Sequence, residues 1–148
     1  MSDIHIDDFF KDGCKILVQL YNNFPRTCML FVDDISGPDE PDEFGLHSTR
    51  HQSCFSAMLW LADAGYLNYD DRVRQEGLDQ AVLTHKGFLV LNARSPLAKD
   101  EINETIPESI QEFQKTNISV IREALKNGTS ADIRRIGYQV LLQSREHD

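Results

Sequence analysis

The segment from Gly65 to Gly87 constrains the fold more than any other part of the chain. It follows an apolar helical run, Ala57 to Ala64, and a glycine there supplies the left-handed residue that ends a helix and turns the chain into a strand. Tyr66 to Tyr69 and Gln80 to Leu83 read as two short strands joined by an irregular turn through Glu76, Gly77, Leu78 and Asp79. Thr84 then caps a short helix reaching about Ala93, which Ser95 and Pro96 break. A β-ribbon with an α-segment on each side is therefore expected, which excludes an all-helical bundle and a parallel sheet at this point.

The rest of the chain supplies mostly helices. Phe9, Phe10, Ile16, Leu17 and Leu20 place an amphipathic helix over about Asp8 to Asn23, capped by Asp7 or Asp8 and ended by Pro25. Thr27 to Val32 reads as a strand, and Asp33 to His47, with two Pro, two Gly and six acids, reads as a loop. A second helix runs from Thr49 to about Ala64 with its cap near Ser48. One continuous helix is expected from about Pro107 to Asn127, ended by Gly128, and another from Ser130 to about Ser144. The predicted fold is mainly α with a small antiparallel β-hairpin. Residues 1–95 form its core, and 96–148 form a helical extension that packs on that core or makes a dimer interface. With 148 residues, 41% of them hydrophobic, one such domain buries enough surface to fold without staples.

The run Ala57-Met58-Leu59-Trp60-Leu61-Ala62-Asp63-Ala64-Gly65-Tyr66-Leu67, followed after fifteen residues by Leu83-Thr84-His85-Lys86-Gly87, resembles the recognition helix, the wing and the LTxKG helix start of MarR-like winged-helix proteins. The resemblance covers residues 50–93 best. It implies a winged-helix core, a wing carrying Arg72 and Arg74, and dimerisation through the added helices. In one respect the chain departs from that pattern. The short helix that normally precedes the recognition helix is replaced by the acidic loop Asp33 to His47, which weakens the helix-turn-helix reading.

Charge decides between functions. The formal net charge is −9, and residues 1–47 carry ten acids against three bases, whereas residues 48–98 carry five of each. Neutralising phosphates is the main source of non-specific nucleic-acid affinity, so this balance disfavours DNA or RNA as a partner. If DNA is bound, Arg50, His51, Gln52, Ser53 and Ser56 would face it from the second helix, and Arg72, Arg74 and Lys86 would touch phosphates. Asp70, Asp71, Glu76 and Asp79 offset the wing cations.

Two features point instead to association with protein. Trp60 is expected either to pack against the C-terminal helices or to form an interface hot spot. Ile106, Ile110, Phe113, Asn117, Val120 and Ala124 have heptad-like spacing with one polar member, as in the seam of paired helices. Trp60, Phe113, Asn117 and Val120 are therefore the candidate protein contacts, and a homodimer is expected.

Catalysis finds no support. The chain lacks GxSxG, HExxH, P-loop and GxGxxG motifs, and no cofactor is expected. His47, His51 and Cys54 stand at i, i+4 and i+7, a spacing that can gather metal ligands, but His47 should lie outside the helix and Cys54 should face the core, so no metal is assigned. The acidic loop has neither the ligand spacing nor the central Gly of an EF-hand. Three cysteines without a CxxC pair, no signal-like start and no long apolar run lead us to expect a cytoplasmic protein that does not enter membranes. The expectation is a non-enzymatic association module, with transcription regulation as one setting for it and a DNA-binding regulator as the alternative.

Overall fold

A computed structural model describes residues 3–98 and 103–145. Its order of elements is α1 (Ile4–Asn23), β1 (Cys28–Phe31), α2 (Val32–Ser36), α3 (Thr49–Asp63), β2 (Leu67–Asn68), β3 (Asp71–Val73), β4 (Gly77–Leu83), α4 (His85–Asn92), α5 (Glu108–Gln114), α6 (Asn117–Asn127) and α7 (Ser130–Ser144). The protein is mainly helical with a small antiparallel sheet. Among the described residues no helix is long and apolar enough to cross a membrane.

β4 is the centre of the sheet. One of its edges pairs antiparallel with β1, in register Cys28 with Ala81 and Leu30 with Leu78. The other edge pairs with β2, Leu67 opposite Leu83, and with β3, Arg72 opposite Leu78. The ribbon expected between Gly65 and Gly87 is therefore present, with its second strand starting at Gly77 rather than Gln80. Local chemistry sets its ends. Gly65 takes φ +93°, a conformation that costs glycine little. The Thr84 hydroxyl accepts from the Gly87 N–H, 3.0 Å, capping α4, and donates to the Gly65 carbonyl, 2.5 Å. A Cβ on Gly87 would run into the Tyr66 carbonyl oxygen, so only glycine lets α4 approach the start of β2 this closely.

The helices close one core around this sheet. Ile16, Leu17 and Leu20 of α1, Met58 and Leu61 of α3, and Ile118, Ile121, Ile133, Ile136 and Val140 of α6 and α7 belong to one buried cluster. Thus α6 and α7 pack on the chain's own core. Phe10 of α1 lies against Gly137 of α7, and Arg134 reaches Asp7 at 2.8 Å.

Three expected elements differ. Helix α1 starts at Ile4, so Asp7 and Asp8, expected at its cap, lie within it, and Asp3 holds the N-cap position. The acidic stretch is not all loop, because Val32 to Ser36 forms the short helix α2, whose Val32 and Ile35 are buried and which Gly37 ends at φ +97°. A short helix thus does precede α3. The continuous helix expected over 107–127 is two helices, α5 and α6, separated at Lys115 and Thr116. Backbone groups there are committed elsewhere: Ser95 N–H donates to the Lys115 carbonyl, 2.8 Å, and Asn117 N–H to the Ala93 carbonyl, 2.9 Å. Thr116 then caps α6 by accepting from the Ser119 N–H. The heptad-like seam is broken at that junction, and α5 buries none of its residues.

Candidate functional site

The face of α3 that the core does not use is small and polar. Cys54, Ala57, Met58 and Leu61 point inward, while Gln52, Ser53, Ser56, Trp60 and Asp63 are exposed. The Gln52 amide is occupied by the His47 carbonyl at 2.8 Å. Trp60 is 47% exposed and packs edge-on against Phe9 of α1, 5.3 Å between ring centroids, rather than against the C-terminal helices.

Three more residues expected to contact DNA are committed within the chain. Arg50 donates two hydrogen bonds of 2.6 Å to the carboxylate of Asp12, which is buried in α1, and its Nε lies 3.6 Å from Asp8. His51 is buried, with Nε2 donating to the Gln75 carbonyl at 2.8 Å. Lys86 donates to the Ala64 carbonyl at 3.1 Å and sits over the Tyr66 ring. Arg72 and Arg74 are exposed at the β3–β4 hairpin, where Arg74 takes φ +52°.

The C-terminal candidates separate in the same way. Phe113 and Ile110 of α5 are exposed. Val120 of α6 is half-buried beside a cleft of about 650 Å³ between the α5 region and α6–α7. Asn117, placed on the seam by spacing, is fully buried instead. Its Nδ2 donates to the Val90 carbonyl, 2.7 Å, and to Gln143 Oε1, 2.8 Å, so it ties α6 to α4 and α7 within one chain.

At the other end of the sheet, four segments converge on two histidines. His47 ends the acidic loop, His51 sits in the first turn of α3, Asp33 lies on α2, and Gln75 and Glu76 form the turn of the β3–β4 hairpin. The two imidazoles stack at 3.7 Å with 7° between planes, and their side chains are 7% and 0% exposed. His47 lies between carboxylates, Nδ1 2.9 Å from Asp39 Oδ2 and Nε2 2.5 Å from Glu76 Oε1. Carboxylates accept only, so both ring nitrogens carry protons. The bonds to Asp39 and Glu76 hold the His47 pKa above its ordinary value, and hydrogen bonds from Ser48 and then His47 hold Asp39 down to about 2.

His51 differs. Its Nε2 donates to the Gln75 carbonyl, so in the neutral ring Nδ1 is the atom with the lone pair. That atom is buried without a hydrogen-bond partner, 3.8 Å from Asp33 Oδ1 and 4.0 Å from Asp39 Oδ2. Cys54, grouped with these histidines by spacing, faces the core, and burial pushes its thiol up to about 12, a protonated state unsuited to ligating. The i, i+4 spacing of the histidines is visible in the sequence. Asp39 and Glu76 join them only through the fold, and no local signal marks them. No family model matches the chain, and neither a curated protein nor a solved structure matches it.

Proposed function

We propose that the chain is a non-enzymatic winged-helix protein of the cytoplasm that acts by associating with protein, a second copy of itself included. The order helix, strand, helix, helix, ribbon, helix across α1 to α4, with Gly65, Thr84 and Gly87 in the roles their sequence pattern implies, supports the winged-helix reading. One observation carries the functional reading: the exposed side of α3 presents Gln52, Ser53, Ser56, Trp60 and Asp63 without a cation, while the helix's one arginine is held by Asp12. A base-reading helix needs donors and positive charge there, whereas a half-exposed Trp beside exposed Phe113 and Ile110 elsewhere suits protein contacts.

Light scattering tests self-association. A mass near twice that of the chain is expected, returning to that of one chain in a Phe113→Glu/Val120→Glu variant that keeps its circular dichroism. A single-chain mass for the unaltered protein would refute it. The alternative of DNA binding is favoured by Arg72 and Arg74, both exposed on the hairpin. Fluorescence anisotropy with mixed duplexes at low salt decides it, since phosphate contacts give an affinity that falls steeply with salt.

A further inference from the structure

We propose that Asp39, His47 and His51, with Asp33 as a fourth ligand, form a binding site for a divalent transition-metal ion of the zinc type. The carboxylate and imidazole atoms of the first three lie within 4.8 Å of one another. Two atoms that each sit about 2.1 Å from one ion lie no more than about 4.2 Å apart. The separations of 2.9 Å from His47 Nδ1 to Asp39 Oδ2, 4.0 Å from His51 Nδ1 to Asp39 Oδ2 and 3.8 Å from His51 Nδ1 to Asp33 Oδ1 all meet that limit.

The independent observation is the orphaned nitrogen. An imidazole nitrogen buried without a hydrogen-bond partner costs about 1–3 kcal/mol, and this one lies 3.8 and 4.0 Å from two carboxylates that a cation would join to it. The two rings stack 3.7 Å apart with 7° between their planes, so the His47 ring turns about its Cβ–Cγ bond to bring its lone pair onto the same ion. The outer contacts match as well. Both histidines turn Nδ1 toward Asp39 and rest Nε2 on the same hairpin turn, His51 on the Gln75 carbonyl and His47 on the Glu76 carboxylate. Metal-bound histidines are oriented in this way, the far N–H donating to a carbonyl or carboxylate. On binding, the ion displaces the proton from His47 Nδ1, which passes to solvent, while the Nε2 proton stays on the ring and is donated to Glu76. The oxygen and imidazole donors suit Zn²⁺, and the ion would fasten α2, the acidic loop and α3 to one end of the sheet.

The test uses untagged full-length protein stripped with a chelator, titrated with Zn²⁺ by calorimetry and with Co²⁺ by visible absorption. We expect one ion per chain and the intense d–d bands of four-coordinate Co²⁺. His51 is part of the core, so the variants alter the loop instead. His47→Gln/Asp39→Asn, checked by circular dichroism, should bind Zn²⁺ at least about 100-fold more weakly, and Asp33→Asn should bind it more weakly to a lesser degree. Absence of binding at 100 µM Zn²⁺, or undiminished affinity in the double variant, which would move the ion to outlying histidines such as His5 or His85, would overturn the proposal. The site rests on no part of the association reading.

Discussion

Removing the Arg50 guanidinium should unfold the protein more readily than any other single change on the exposed rim of α3. Asp12 is 1% exposed and its carboxylate accepts both 2.6 Å bonds from Arg50, so Arg50→Leu leaves a buried anion facing only Asp8 and the Cys54 region. Each charge-assisted hydrogen bond contributes about 1.5–3 kcal/mol, and stripping one partner from a buried ion pair costs about 3–5 kcal/mol. The Arg50 side chain is 35% exposed, so water enters when it leaves and the loss falls toward the lower end, about 3 kcal/mol. With a urea m-value of about 2 kcal/mol/M, the midpoint should drop by about 1.5 M. Trp60 reports the transition, since its ring sits on Phe9 of α1. Asp12→Leu/Arg50→Leu, which removes the charge with its partner, should return to within about 1 kcal/mol of the unaltered protein. A single variant within about 0.5 kcal/mol of the original, or a double variant worse than the single, would refute the reasoning.

Gly87→Ala drives a Cβ into the Tyr66 carbonyl and should cost about 1–3 kcal/mol, read as a melting temperature about 3–10 °C lower; an unchanged melt would show that α4 can move away from the strand. Burial pushes the thiols of Cys14 and Cys54 up to about 12, so at pH 8 only about one in 10⁴ is ionised and both should resist iodoacetamide until the chain is unfolded. Cys28, half-buried on β1, should react first, and rapid native modification of Cys54 by mass spectrometry would contradict its place in the core.

What the sequence disclosed depended on how local the cause was. Gly65, Thr84 and Ser48 act on residues within three positions of themselves, and each does in the structure what its type implies. The division of α5 from α6 escaped because heptad-like spacing runs through it undisturbed, and the strand-like pairing of residues 93–95 with 115–117 that causes it spans a sequence gap. Helix α2 was masked by its acids, although buried Val32 and Ile35 lie three apart and Gly37–Pro38 ends the turn. In the histidine cluster the spacing of His47 and His51 was visible, while Cys54, three residues on, is buried in the core. The carboxylates that meet the rings come from positions 8 and 29 residues from His47.

Because β1 and β4 pair at positions 53 residues apart, Cys28 with Ala81, the first strand leaves the ribosome long before the strand it pairs with exists. Throughout that interval Leu30 and Val32, both fully enclosed in the finished molecule, stay open to water and to passing chains. Nascent chains stalled before Gly77 should therefore bind chaperones and adhere to one another more strongly than those stalled after Leu83 has emerged.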